Sequence, residues 1–206
     1  MEEKLIRDAL MLWATIDPIG TLAIFASVTT SMTPALRRKT ALKASLYSAA
    51  ILLGAIVAGQ ILLSALGIEL LSLQVAGGVI LFLFALQMIF GSGMQEQGGD
   101  SDSGHDLAVF PLAVPSIASP GAIMAVIVLT DNNLHGIPEQ AATAGVLLGV
   151  LAITYLLMLA STQILRVIGT NGAAILVRVM GLILAALSVQ LVFEALEIGN
   201  WINTTQ

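Results

Sequence analysis

The chain has 206 residues, of which 57% are hydrophobic and only 10% are charged, and its formal net charge is −5. Because soluble domains carry about 25% charged residues, this composition indicates a membrane protein, and the lack of a basic patch argues against a nucleic-acid partner. The chain contains no cysteine, which excludes disulfides and thiolate metal sites.

Long uncharged stretches predict six membrane-spanning helices. A helix needs roughly 20 apolar residues to cross the hydrocarbon layer, and each of the six stretches is long enough. The first contains Asp17 and lacks a basic head, so it is not expected to be a cleaved signal peptide. In chain order, the predicted spans lie around residues 9–36, 44–68, 70–95, 107–130, 140–165 and 173–196.

The cationic residues set the predicted orientation. Six of the eight lie in or beside two loops: Arg37, Arg38, Lys39, Lys43, Arg166 and Arg178. These are the loops between spans 1 and 2 and between spans 5 and 6, and loops rich in Lys and Arg stay in the cytoplasm. The loop between spans 3 and 4 lies on the same side of the membrane, so we expect it to be cytoplasmic too, and both termini to lie outside. The remaining two cations, Lys4 and Arg7, oppose this orientation.

The two halves of the sequence resemble each other at a nearly constant offset of 102 or 103 residues. Matching pairs are Pro18 with Pro120, Gly78 with Gly181, and Gln87 with Gln190. Each half then holds three spans, and an odd number of spans inserts the second half in the opposite direction. We therefore predict two inverted repeats, residues 1–93 and 107–206, within one membrane domain. The alternative is a chance likeness between leucine-rich helices.

A polar segment of residues 94–106 joins the halves and predicts a flexible cytoplasmic linker. Its acidic residues lack the central glycine and distal glutamate of a calcium loop, so we expect no metal site.

The first and fourth predicted spans are each interrupted near the middle by a capped proline. Asp17 precedes Pro18, and Ser119 precedes Pro120. Proline lacks an N–H and its ring clashes with the carbonyl four residues back, so it ends one helix and starts another. Asp and Ser favour the N-cap position, where a side-chain oxygen accepts from the first free N–H groups. We therefore predict that both spans are discontinuous.

Pro111 and Pro115 further weaken the stretch before the second interruption. A re-entrant loop and a partly extended segment are both compatible with this pattern.

In an inverted repeat, the two interruptions meet near the centre of the membrane. Free N–H groups at two helix starts attract a carboxylate, and free carbonyls attract an ammonium group or a cation. A small site offering both fits a zwitterion such as an amino acid. The predicted substrate-binding residues are Thr15, Asp17, Gly20, Thr21, Gln87, Ser119, Gly121, Ala122 and Gln190.

Asp17 is the predicted coupling residue, because a charge at the bilayer centre is costly and usually functional. The alternative is that each proline only kinks a packed helix, which Asp17 caps. For Gln87 and Gln190, hydrogen bonds between helices are as good an explanation as substrate contact. Small residues at Ala141, Gly145 and Gly149 predict packing between spans, with an oligomer interface as the alternative.

Several motifs resemble those of the MarC family, and the resemblance covers nearly the whole chain. They are Asp17-Pro18-Ile19-Gly20, Arg37-Arg38-Lys39, Ala76-Gly77-Gly78-Val79-Ile80, Pro111-Leu112-Ala113-Val114-Pro115, Ser119-Pro120-Gly121-Ala122-Ile123 and Arg178-Val179-Met180-Gly181. The resemblance implies a six-span protein of a bacterial or archaeal cytoplasmic membrane, related to LysE-type transporters. Some members are regarded as transporters of small neutral amino acids such as glycine and alanine. Family members often have other residues at Thr21, Ala23 and Ser119, which affects the expected substrate preference.

The sequence thus predicts an all-α membrane protein that is not an enzyme and needs no cofactor. Its predicted function is secondary transport of small neutral amino acids, coupled to H⁺ or Na⁺, with alternating access around a mid-membrane site. The alternatives are export of another small metabolite or drug, and a non-transporting membrane scaffold. The expected partners are the substrate and the lipid bilayer, and the oligomeric state is left open.

Overall fold

The computed structural model describes residues 2–91 and 106–196, and this part of the chain is helical with short connections. Of the predicted linker, residues 94–105 lie outside the described residues. The helices are α1 Glu2–Ile16, α2 Pro18–Val28, α3 Pro34–Leu66, α4 Leu70–Phe90, α5 Ala108–Ile117, α6 Pro120–Leu129, α7 Ile137–Gly169 and α8 Asn171–Ala195.

Within the described residues, five helical stretches are long and apolar enough to cross a membrane: α1 with α2, then α3, α4, α7 and α8. The pair α5 and α6 adds a sixth crossing if it is counted as one span, and the two helices are bent by 54° at their break. The prediction of an all-α protein with membrane-spanning helices is confirmed. The count of six depends on how the bent pair is counted.

Local chemistry sets the ends of the long helices. α3 begins at Pro34, and the side chain of Thr33 accepts from the Leu36 N–H in the N-cap position. It ends at Gly67, whose φ of 66° is the left-handed conformation that glycine supplies at a helix end. Gly169, with φ 68°, divides a longer helical run into α7 and α8.

Hydrogen bonds at the two ends of the helix bundle show which helix termini lie together. At one end, termed the amino-terminal face, Arg7 pairs with Glu194 at 3.3 Å, so the start of α1 meets the end of α8. At the opposite end, termed the Arg37 face, Arg37 Nη2 donates to Ser161 Oγ at 2.9 Å, so the start of α3 meets the end of α7. Which face lies in the cytoplasm stays a prediction.

Asp106 attaches the start of the second half to α3 at the Arg37 face. Its carboxylate lies 2.6 Å from Lys43 Nζ and also accepts from the Ala108 N–H at 3.1 Å. The Lys43 ammonium and this N–H hold the pKa of Asp106 below its usual range. Both side chains of the pair are partly exposed, so the contact positions the chain and adds little stability.

Two glycines allow α4 and α8 to pack closely and reciprocally. A Cβ on Gly78 of α4 would lie 3.1 Å from Ser188 O of α8, and a Cβ on Gly181 of α8 would lie 3.1 Å from Ala85 O of α4. Gly181 follows Gly78 by 103 residues, and Ser188 follows Ala85 by the same number. Each half therefore uses equivalent residues to contact the other.

The predicted packing role of Gly145 and Gly149 is wrong. Both lie exposed on α7, and a Cβ at either position would meet no atom within 4 Å in the described part of the chain. Ala141 is exposed as well. The alternative of an oligomer interface is therefore left for this face.

Substituting Gly78 tests the close packing of α4 on α8. We expect Gly78→Ala to lower the free energy of unfolding by about 1–3 kcal/mol, because the new methyl overpacks a backbone contact. In contrast, Gly145→Ala should raise it by roughly 0.5–1 kcal/mol, since alanine favours an open helix position. Unfolding of both purified variants in one detergent measures the difference, and equal effects would contradict the packing.

Candidate functional site

The break between α1 and α2 is one residue long. Asp17 has φ 48° and ψ 69°, a left-handed conformation that a continuous helix cannot contain but that Asp tolerates. The Asp17 N–H still donates to Trp13 O at 3.1 Å, and its carbonyl accepts from the Thr21 N–H at 3.0 Å. The chain is therefore interrupted at the predicted position, but the helical hydrogen bonds resume at once on both sides.

The break between α5 and α6 is wider. Phe110 and Val114 have extended backbone inside α5, and each precedes a proline, which disfavours helical geometry. The Ala118 N–H donates to Ala113 O at 2.8 Å, a bond with the five-residue spacing of a π-helix. The stretch is partly extended at these two residues, and the 54° bend between α5 and α6 fits a broken span or a re-entrant loop.

Both helix starts are capped by the predicted side chains. Asp17 Oδ1 accepts from the Gly20 N–H at 3.1 Å, and Ser119 Oγ accepts from the Ala122 N–H at 3.0 Å. The Thr21 N–H is bonded to Asp17 O. The expectation that the N–H groups around Gly20, Thr21, Gly121 and Ala122 are free for a ligand is therefore wrong for three of the four in this conformation. A carboxylate that binds the Gly20 or Ala122 N–H would have to displace a cap.

Two hydrogen bonds join the first break to the second. Ser119 Oγ donates to Thr15 O at 3.0 Å, and Thr21 Oγ1 lies 3.0 Å from Ser116 Oγ. Thr15 O is one of the last four carbonyls of α1, which have no partner inside a helix. These four residues and Asp17 are each at most 6% exposed. We term this buried polar cluster of Thr15, Asp17, Thr21, Ser116 and Ser119 the junction.

The glycines beside each cap are filled by the chain itself. A Cβ on Gly20 would overlap the Asp17 carboxylate, and a Cβ on Gly121 would overlap Leu81 Cδ1. Leu81 of α4 is buried. In this conformation the two glycines therefore admit a cap and a leucine, and no space for a ligand is open at Gly20.

A pocket of about 220 Å³ lies beside the junction, between α4 and the bent α5–α6 pair. Ser119, Pro120 and Gly121 line one wall, and Phe84 and Gln87 line the other. The pocket is only partly enclosed, its lining is mainly apolar, and the lining residues Ile80 and Leu83 are exposed. The structure thus brings Gln87 next to two of the other predicted site residues.

Gln190 lies elsewhere. It is exposed near the end of α8 and donates to Glu194 Oε1 of the same helix at 3.1 Å. This hydrogen bond lies within one helix. The sequence had instead suggested either a hydrogen bond between helices or contact with the substrate. The sequence match with Gln87 does not extend to a shared position at the junction.

Ser116 is the junction residue that sequence analysis missed. It is a lone polar residue in an apolar stretch, directly after Pro115. A polar residue in such a stretch is a signal for a buried hydrogen bond. The contact with Thr21 of the other half is what distinguishes Ser116 from other buried serines, and only the structure shows it. Within residues 2–91 and 106–196, no group of three or more His, Asp or Glu side chains is placed to hold a metal ion.

Removing the Ser119 hydroxyl tests whether the junction holds the two breaks together. We expect Ser119→Ala to lower the free energy of unfolding by about 0.5–2 kcal/mol, because the substitution removes an N-cap and leaves Thr15 O without its donor. Ser27→Ala is the matched control, since Ser27 is exposed and bonds only Ile24 O of its own helix. Equal unfolding midpoints for the two variants would show that the junction contributes no stability.

Comparison with known proteins adds the family. The model of the MarC family, described as integral membrane proteins, matches residues 3–199. A UPF0056 membrane protein of Archaeoglobus fulgidus is 33% identical over 90% of this chain and 88% of its own length. The UPF0056 inner membrane protein YhgN of Escherichia coli K12 is 32% identical over 94% of this chain and 96% of its own length. No solved structure matches the chain.

With helices long enough to span a membrane and a family match over nearly its whole length, the chain belongs to the MarC family of integral membrane proteins.

Proposed function

We propose that this protein is a secondary transporter of small neutral amino acids such as glycine and alanine, coupled to H⁺ or Na⁺. The observation that carries the proposal is the junction, where two interrupted helices from different halves are joined by hydrogen bonds in an apolar bundle. Buried polar groups inside a membrane are costly and usually mark the path of a substrate or an ion. Transporters commonly form their binding sites from such discontinuous helices.

In this proposal, residues 1–93 and 107–206 are inverted repeats that move relative to each other. The reciprocal contacts of Gly78 and Gly181 support a two-fold relation between α4 and α8. The positions of Pro18 and Pro120, each at the start of a half-helix, support the same relation. Rocking of the two repeats would expose the junction to each side of the membrane in turn.

The two caps differ in charge, and this difference gives the proposed orientation of the substrate. Ser119 is neutral, so a substrate carboxylate can replace its hydroxyl at the Ala122 N–H, where the positive end of the α6 dipole favours an anion. The carboxylate of Asp17 repels an anion and attracts an ammonium group. Neither Asp17 nor Thr15 lines the pocket, so a zwitterion would reach this position only after the junction opens. Its carboxylate would then lie toward α6, and its ammonium toward Asp17 and Thr15 O.

The volume of the pocket, about 220 Å³, supports a small substrate such as glycine or alanine. Leu81 already occupies the space next to Gly121, so the substrate would lie in the rest of the pocket, between Ser119 and Gln87.

A ligand-binding experiment separates a transporter from a scaffold. We expect glycine and alanine, but not phenylalanine, to raise the unfolding midpoint of the purified protein, because only a bound ligand stabilises the folded state. The same two amino acids should enter proteoliposomes under an imposed proton or sodium gradient. No midpoint shift and no flux with any small amino acid would favour the scaffold.

Matched glycine variants place the effect at the pocket. Gly121→Val forces Leu81 to move, because even a Cβ at Gly121 would overlap Leu81 Cδ1. We expect the displaced leucine to enter the pocket and abolish both ligand stabilisation and uptake. Gly54→Val on α3 is the control, since a Cβ at Gly54 meets no atom within 4 Å of the described chain. Both variants should unfold cooperatively in the absence of ligand.

Asp17→Asn tests the proposed coupling role. Asn also tolerates the left-handed conformation and can accept from the Gly20 N–H, so we expect the variant to fold. Its uptake should lose the pH dependence of the wild-type protein, because the amide cannot carry a proton. Asp106→Asn, on the Arg37 face, should keep that dependence. Unchanged pH-dependent uptake in Asp17→Asn would contradict the coupling role.

A further inference from the structure

A charged cluster around a buried carboxylate lies at the amino-terminal face, outside the junction. The Asp8 side chain of α1 is 1% exposed, and the Lys4 side chain, one turn earlier and 18% exposed, lies 2.6 Å from its Oδ2 atom. Thr143 Oγ1 of α7 donates to the same Oδ2 at 2.6 Å. The other carboxylate oxygen, Asp8 Oδ1, is buried and has no hydrogen-bond partner in the described part of the chain. A carboxylate can accept about four hydrogen bonds, so the cluster has unused acceptor capacity.

The Lys4 ammonium lies within hydrogen-bond distance of three oxygen atoms. Its acceptors are Asp8 Oδ2 at 2.6 Å, Thr143 Oγ1 at 2.8 Å and Leu129 O at 3.4 Å. An ammonium has three donors, and these three oxygens come from α1, α7 and α6. Leu129 is the last residue of α6, so its carbonyl belongs to the negative end of that helix, which favours a cation.

We propose that Lys4 is a tethered cation that fills an alkali-cation site made by the Asp8 carboxylate, the Thr143 hydroxyl and the Leu129 carbonyl. Oxygen ligands of these three kinds bind hard cations, and the carboxyl-terminal ends of half-helices coordinate Na⁺ in transporters. When the Lys4 side chain leaves the cluster, a Na⁺ or K⁺ ion takes its place and keeps the Asp8 charge compensated. The unpartnered Asp8 Oδ1 supplies a further ligand to that ion.

The site matters for the proposed transport because it joins the two halves at one face. Lys4 and Asp8 belong to the first half, and Thr143 and Leu129 belong to the second. Separation of the halves at this face breaks the cluster. If an alkali ion replaces the Lys4 ammonium, the charge of the Asp8 carboxylate stays compensated while the face opens. This consequence rests on the transport function proposed above, whereas the cation site does not.

A purely structural ion pair predicts a different response to the loss of Lys4. Removing one partner of a buried pair is strongly destabilising, because the other charge is left buried and unpaired. If the pair is only structural, this loss is the same in every salt. If the cluster is a cation site, an alkali ion replaces the ammonium and restores the stability.

The test uses Lys4→Ala and the matched control Arg7→Ala, which removes a cation of the same helix from an exposed pair. The purified full-length variants are unfolded by heat in choline, lithium, sodium and potassium chloride at equal ionic strength. We expect wild type and Arg7→Ala to unfold at the same temperature in all four salts. Lys4→Ala should unfold earlier in choline and regain roughly 5 °C or more, saturably, in at least one alkali salt.

The double variant Lys4→Ala with Asp8→Asn removes the carboxylate charge, so it should not respond to alkali ions. Three results would overturn the proposal. Lys4→Ala could be equally unstable in all salts, or both Lys4→Ala and Lys4→Met could fail to fold in every alkali salt, or wild type could respond as strongly as Lys4→Ala. None of these measurements needs a transported substrate, so their failure is distinguishable from failure of the proposed transport.

Discussion

A membrane provides no water for unpaired backbone groups, and this constraint determines how the two halves of the protein fit together. At Asp17-Pro18 and at Ser119-Pro120 one helix ends and another begins, which leaves carbonyls without helical partners in the middle of a span. Thr15 O, at the first break, is satisfied by the Ser119 hydroxyl of the second break. The breaks must therefore lie against each other. The glycine contacts between α4 and α8 are a second set of contacts between the halves.

The two breaks solve the same problem with different geometry. Asp17 adopts the left-handed conformation and caps α2 with its own carboxylate, so α1 and α2 remain nearly one span. Ser119 is preceded by a segment with two further prolines, and the chain there is partly extended and bent by 54°. The pocket lies between the α5–α6 pair and α4, so both halves line it. The charge at the junction comes from the first half, as Asp17.

The sequence predicted the features that local chemistry determines. Helix positions follow from apolar length, and the caps at Asp17 and Ser119 follow from the residues next to proline. Features that depend on contacts between the halves could not be predicted in this way. Gln87 lines the pocket while Gln190 bonds its own helix, although the two occupy matching positions in the sequence. The same helix starts were predicted both to be capped and to bind a carboxylate, because a cap and a free anion site have the same sequence pattern, and the structure shows the caps.

Asp8 shows a different limit of the sequence argument. Lys4 and Asp8 are four residues apart, a spacing that brings opposite charges together on one helix face. The spacing alone is enough to predict this local pairing, although Lys4 also bears on the orientation of the chain. Burial of the pair depends on Thr143 and on the end of α6, which lie more than a hundred residues away.

The contacts between the halves differ in strength from the centre of the protein to its face. At the junction they are neutral hydrogen bonds, which the polar groups of a small zwitterion can replace. At the amino-terminal face they include an ion pair with a buried carboxylate, whose charge only another cation can compensate without a large cost. A ligand shifts a conformational equilibrium only as far as it binds one state better than the other. In the proposed mechanism, the substrate therefore compensates the opening of the junction and an ion compensates the opening of the face.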